Sequence, residues 1–250
     1  MKKYWLIPLA AAAVGAALGF YKVKKKHPGD AEMYAPELAE KKESILAGKK
    51  IMFLGSSVTY GRDDVSFVEY LQNQYGVIVS KEALSGTTLV NKKIFGRRPY
   101  VDRIKDMDKD FEADLFICQL STNDATTKQP LGEVSEGYAL EDFDTSTIAG
   151  AIEYIIAYAK NTWNCPIMFY TNGRYESEHY QKMTELLAKI KEKWDIGIID
   201  LWNELNVSSL SKQQYQLYMI DKIHPSLCGY RDFWTPFIAR KLEAFFENRE

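Results

Sequence analysis

Two short stretches hold the residues of this chain best suited to chemistry. Residues 51–61, IMFLGSSVTYG, end an apolar run at Gly55 and follow it with Ser56, Ser57 and Thr59, while residues 219–226, MIDKIHPS, place Asp221 and His224 three positions apart. A serine hydroxyl is a weak nucleophile at neutral pH until an adjacent base takes its proton, and that base needs its tautomer fixed by a third group. Ser57, His224 and Asp221 supply those three residue types. Attack on an acyl carbon also creates an oxyanion that needs N–H donors. Candidates are the backbone N–H of Ser57, that of Gly86 in the loop LSGTTL at 84–89, and the side-chain amide of Asn123 in STND at 121–124. Each residue also has a plainer use. Hydroxyls at 56, 57 and 59 suit helix capping, a DxxH pair occurs on ordinary loops, Asn123 can close a turn, and Gly86 can serve a positive φ. Asp124 reads as a helix or turn cap, and His179 as a solvated helix residue.

What would bring these residues together is a parallel sheet. Apolar runs of strand length occur at 51–54, 77–79, 113–120, 166–170 and 197–201, separated by segments of helical spacing at about 63–75, 145–160 and 177–194. From Ser226 onward, Leu227, Tyr230, Phe233, Trp234, Phe237, Ile238 and Leu242 form the apolar stripe of a terminal amphipathic helix. Strands alternating with helices, without hairpin turns, predict a five-stranded parallel sheet covered on both faces. In such a sheet the carboxyl ends of the strands share one rim, where ligands bind. The loops holding Ser57, Gly86 and Asn123 each follow a predicted strand, so they fall on that rim, and the 219–226 loop precedes the terminal helix. Phe67, Tyr100 and the irregular stretch 129–144, read as a loop or flap, are expected to help line the pocket.

The bulk properties narrow the function classes. A chain of 250 residues accommodates one sizeable α/β domain with an appendage. A formal charge of -2 offers no basic excess for a phosphate backbone, so no nucleic-acid partner is expected. Three widely spaced cysteines, Cys118, Cys165 and Cys228, argue for buried free thiols over a disulfide framework, and with only three histidines no metal site is expected.

The N-terminus differs in kind. Residues 4–21, YWLIPLAAAAVGAALGFY, carry no charge, with Lys2 and Lys3 before them and Lys22, Lys24, Lys25 and Lys26 after. As a helix this stretch would reach roughly 27 Å, enough for a single membrane span. The basic cluster behind it favours an uncleaved anchor over a secretory signal sequence. The lysine distribution points to a cytoplasmic domain; if the segment is cleaved, the protein is secreted. The expected organisation is a membrane anchor at 1–21, a basic linker and leading amphipathic helix at 22–48, with the helix over 31–47, and a catalytic domain at 49–250.

The blocks GSSVTYG, SGTTL, STND and DKIHPS, in this order, resemble the four sequence blocks of the SGNH hydrolases, the GDSL esterase/lipase superfamily. The resemblance runs from about Lys49 to the C-terminus. It implies a three-layer α/β/α flavodoxin-like sandwich, with Ser57 as nucleophile, His224 as base, Asp221 as its partner, and Ser57, Gly86 and Asn123 as oxyanion-hole donors. It also implies a cofactor-free ester hydrolase acting on a short acyl, acetylated carbohydrate or lipid ester. Acyl transfer or deacetylation on a glycan, and a catalytically silent small-molecule-binding module, are the alternatives. The chain departs from the family pattern twice. Ser56 stands where Asp is usual, which alters the bracing of the nucleophile loop, and Ser121 stands where Gly is usual, adding a side chain expected to narrow substrate choice.

Overall fold

The computed structural model describes residues 26–94 and 96–249. Five parallel strands, β1 (Lys50–Gly55), β2 (Ile78–Ala83), β3 (Leu115–Gln119), β4 (Ile167–Tyr170) and β5 (Gly197–Ile199), form one sheet in the order β2-β1-β3-β4-β5. Chain direction from β1 to its two neighbours reverses at the β1/β3 boundary, the position where doubly wound sheets open a crevice. Both faces of the sheet are buried. Met52, Leu54, Phe116, Cys118 and Phe169 point into one core, and Ile51, Phe53, Leu115, Ile117 and Tyr170 into the other, following the period-two alternation of a strand.

Among the described residues ten α-helices surround the sheet: α1 (Ser57–Tyr60), α2 (Phe67–Tyr75), α3 (Tyr100–Arg103), α4 (Thr122–Thr126), α5 (Ile148–Trp163), α6 (Glu178–Trp194), α7 (Leu201–Glu204), α8 (Lys212–Tyr218), α9 (Leu227–Gly229) and α10 (Thr235–Glu247). Helices α3, α5 and α6 fill the first core and α2 and α10 the second, giving the α/β/α layering. The long helices start on side-chain caps, Ser66 for α2, Thr147 for α5 and Ser177 for α6. Helix α2 begins at Phe67, later than the spacing predicts, because Asp63 and Asp64 adopt positive φ and Ser66 forms a capping box with Glu69. The terminal stripe is core, with Tyr230, Trp234, Phe237, Ile238 and Leu242 all buried in the second cluster. A π-helical turn over Tyr230–Trp234 joins α9 to α10.

One expectation needs correction, and another lies outside the described residues. Residues 31–47 form no amphipathic helix; the stem makes short 3-10 turns at Pro28–Asp30, Glu32–Tyr34 and Pro36–Leu38, separated by extended Ala31 and Ala35. Pro36, lacking an N–H, cannot sit inside a helix, so the apolar spacing there is not helical. The expected membrane span at residues 4–21 lies outside the described residues. Among those described, no helix is long and apolar enough to cross a membrane. All three cysteines are buried free thiols.

Candidate active site

Strand β1 ends at Gly55, and the chain turns at buried Ser56 into α1, so that Ser57 occupies the first helical position. Its N–H, like the first N–H of any helix, has no intrahelical acceptor. The turn is braced from the end of β3. Gln119 Oε1 accepts from the Ser56 N–H at 2.8 Å and from Thr59 Oγ1 at 2.9 Å, and Thr59 Oγ1 lies 2.5 Å from the Tyr170 hydroxyl. Ser56, in place of the usual Asp, thus leaves the bracing to a neutral carboxamide.

The 219–225 segment is a tight loop closed by a Met219–Pro225 bridge and by the Ile220 N–H donating to the His224 carbonyl at 2.8 Å. Inside it Asp221 Oδ1 accepts from the Ile223 N–H at 2.7 Å and the His224 N–H at 2.9 Å, an Asx-type turn. The same carboxylate meets His224 Nδ1 at 2.9 and 3.0 Å. A carboxylate accepts only, so the ring proton sits on Nδ1 and Nε2 faces outward as a base. Nε2 lies 2.8 Å from Ser57 Oγ. Ser57, His224 and Asp221 are therefore one hydrogen-bonded chain. Partial burial raises the Asp221 carboxyl, but the Ile223 N–H, the His224 ring and the His224 N–H outweigh it and hold the pKa below the ordinary value.

Gly86 and Asn123 are linked through Thr87, the residue after Gly86. Gly86 adopts φ +77°, which any side chain would resist. Its N–H has no acceptor among the described residues. Asn123 Nδ2 donates to the Thr87 carbonyl at 3.0 Å, using one of its two hydrogens and leaving the other free. Ser121 is fully buried; its hydroxyl donates to the same carbonyl and caps α4 by accepting from the Asn123 N–H, both at 3.2 Å. It braces the Asn123 turn and forms no pocket wall, contrary to the expectation of a narrowed pocket. Asp124, expected as a cap, instead lies buried within α4 and accepts from the Leu89 and Val90 N–H groups at 2.8 and 3.2 Å, pinning the loop after Gly86. Among the described residues no hydrogen bond ties Gly86 or Asn123 to the Ser57–His224–Asp221 chain.

Several site-shaping residues escaped the sequence reading. Arg103, buried on α3, donates from Nη2 to the Gly55 carbonyl at 2.8 Å and to Thr87 Oγ1 at 3.0 Å, and from Nη1 to Glu82 at 2.7 Å. It joins the turn before Ser57 to the Gly86 loop. Nothing in the local sequence marks Arg103 or Gln119. Helix α8, which leads into the Asp221 loop, was also missed, although the Ser211–Gln214 capping box announces it.

Ser57, Gly61, Arg62, Ser85, Asp221, His224 and Tyr230 line a cavity of about 230 Å³. Phe67 and Tyr100, expected to line the pocket, are instead packed in the two cores. The 129–144 stretch does not reach it either; Lys193 clasps this stretch through the Ser135 carbonyl and buried Glu153. A larger cavity of about 1260 Å³ beyond β4 and β5, walled by Tyr175, Trp202, Val207 and Tyr215, contains none of Ser57, Asp221 and His224.

Residues 53–231 match the GDSL-like lipase/acylhydrolase family. Among solved structures, a protein from Lactobacillus plantarum is 21% identical with a TM-score of 0.64, the alignment covering 82% of this chain and 99% of that one. A protein of the G-D-S-L family from Desulfitobacterium hafniense is 14% identical with a TM-score of 0.58, over 77% and 99% of the two chains. A GDSL-like lipase from Bacteroides thetaiotaomicron is 17% identical with a TM-score of 0.50, over 78% and 88%. At these identities the likeness is one of fold. No curated protein matches the chain.

Proposed function

The chain belongs to the GDSL-like lipase/acylhydrolase family, and from that premise we propose that it is a serine hydrolase cleaving short-acyl carboxylic esters through an acyl-enzyme. The observation that carries this reading is the continuous Oγ to Nε2, Nδ1 to carboxylate chain through Ser57, His224 and Asp221. As Ser57 Oγ attacks the acyl carbon, its proton passes to His224 Nε2, and Asp221 stabilises the imidazolium. The oxyanion is held by the N–H groups of Ser57 and Gly86 and by Asn123 Nδ2, each such donor contributing about 3 kcal/mol to barrier lowering. His224 then protonates the departing alcohol. Water, deprotonated by the same ring, attacks the acyl-enzyme and releases the acid and free Ser57.

The size of the cavity supports a short acyl group over a long chain, since about 230 Å³ is below the usual range for drug-sized ligands. A fluorophosphonate probe should label the wild-type protein at one site and leave Ser57→Ala unlabelled. On aryl esters, kcat/KM should be highest for acetyl and fall steeply by octanoyl, with Ser57→Ala lowering kcat by about 10⁴-fold or more. Labelling of Ser57→Ala at wild-type level would sink the assignment.

A further inference from the structure

The wall of the triad cavity carries a guanidinium that the hydrolysis mechanism leaves unused. Arg62, two residues beyond the end of α1, lines the cavity with Ser57 and His224. Its Nε and Nη2 donate to Asp30 Oδ2 at 2.9 and 2.8 Å. Asp30 belongs to the stem, ahead of the residues matching the family, and is buried; its other oxygen accepts from the Leu227 N–H at 3.0 Å. The guanidinium is thus gripped along one edge by a fixed carboxylate. Nη1 has no partner among the described residues. Anchoring one edge of an arginine and leaving the other free is how a planar donor fork is aimed at a second acceptor.

A second guanidinium stands against another wall of the cavity. Arg97 donates from Nη1 to the carbonyl of Ser85, itself a lining residue, and a β-carbon at Gly86 would fall 2.8 Å from that nitrogen. Arg97 has no acidic partner among the described residues, and Lys92 and Lys93 add exposed positive charge to its loop. Most neighbouring carboxylates are engaged; Asp63, beside Arg62, is exposed and has no ion pair among the described residues. Asp221, the only carboxylate lining the cavity among the described residues, is engaged by the His224 ring, Asp64 by Lys81, and Glu82 by Arg103. Asp30 offsets the charge of Arg62 but not that of Arg97.

We propose that Arg62 and Arg97 make the site selective for esters bearing an anionic oxygen group, phosphate or carboxylate, close to the scissile bond. The inference rests on the ester-hydrolase reading and specifies its substrate class. Arg62 reads the group by directed hydrogen bonds from its free edge, Arg97 by charge beside the oxyanion donors, and Asp30 acts as a positioning residue for Arg62. The full-length protein is assayed on 4-nitrophenyl acetate and on two acetate esters of phenols bearing a ring carboxylate or a ring phosphate, each rate normalised to hydroxide-catalysed hydrolysis.

The wild type should favour the charged esters by about 10-fold or more in normalised kcat/KM, mainly through KM, and 1 M salt should shrink the preference. Which of the two charged esters leads identifies the anion. Arg62→Gln and Arg97→Gln should each lower the charged-to-neutral ratio several-fold, and exposed Arg97 permits this test without disturbing the fold. Equal normalised rates on all three esters, or a ratio unmoved in both variants, would overturn the inference alone. Cleavage of none of them, with folded protein, would overturn the hydrolase reading and this inference together.

Discussion

Asp221 serves the turn and the ring with one carboxylate, and that economy makes it the most informative single residue of the site. Oδ1 alone accepts from two backbone N–H groups and lies within bonding distance of the imidazole. In Asp221→Asn the amide keeps one acceptor for the turn but turns an N–H₂ toward Nδ1, which favours the tautomer with its proton on Nε2. The expected result is a fall in kcat of about 10³- to 10⁴-fold with a nearly unchanged melting temperature, since the carboxylate is half exposed. A loss of less than tenfold would show that Asp221 does not orient the base. The sign of the pH effect follows from the depressed folded pKa. The carboxylate's contribution to the loop is fully present above the unfolded aspartate value of about 3.9 and is lost as pH falls through the lower folded value. The acid limb of kcat/KM above about pH 4 therefore does not belong to Asp221.

At the level of elements, the site is a set of strand ends tied to one another, and α4 is where that tying depends on pH. Burial raises Asp124 to about 6, against the lowering influence of the Leu89 N–H, the Ser121 side chain and the Val90 N–H. A carboxyl whose folded pKa lies above its unfolded value favours the fold most when protonated. Its contribution is full below about pH 4 and declines as pH rises to about 6, by roughly 3 kcal/mol in all. Melting temperatures of wild type and Asp124→Asn, measured from pH 4 to 7, should therefore converge or cross, with the wild type losing relative stability as pH rises. Parallel curves would show that Asp124 titrates normally. The strands behind this arrangement were legible in the sequence because a parallel sheet covered on both faces leaves nearly continuous apolar runs such as IMFL and LFIC. The Asp221–His224 pair was legible because a three-residue spacing is a local geometry. Gln119, Arg103 and Asp124 act across packed elements, between residues distant in sequence, and their identity alone does not reveal their partners.

The whole described domain closes through its stem, which joins residues 28–38 to the loop that carries His224. Gly29 packs where Leu217 and Ser226 meet; a β-carbon there would stand 2.0 Å from the Leu217 carbonyl and 2.3 Å from Ser226 Oγ. Beside it Asp30 holds the Leu227 N–H and Arg62, the Met33 carbonyl accepts from Arg231, and the Tyr34 carbonyl accepts from Tyr70. Ser226, against Gly29, donates to the Leu217 carbonyl at 2.6 Å and lies two residues beyond His224. This closure was invisible in the sequence, where the stem reads as linker and helix, because nothing in PGDAEMY declares a partner nearly two hundred residues away. It makes the stem part of the scaffold that holds the His224 loop. Gly29→Ala must either push the stem off the 217–226 loop or shift the loop itself. Overpacking of this kind costs about 1–3 kcal/mol, which in a domain of this size lowers the melting temperature by about 2–10 °C. Because the displaced loop carries His224, kcat on a short-acyl ester should fall as well, by about tenfold if the Ser57 to Nε2 distance lengthens by a few tenths of an ångström. A Gly29→Ala protein with wild-type melting temperature and kcat would show that the stem only rests on the domain and does not hold it.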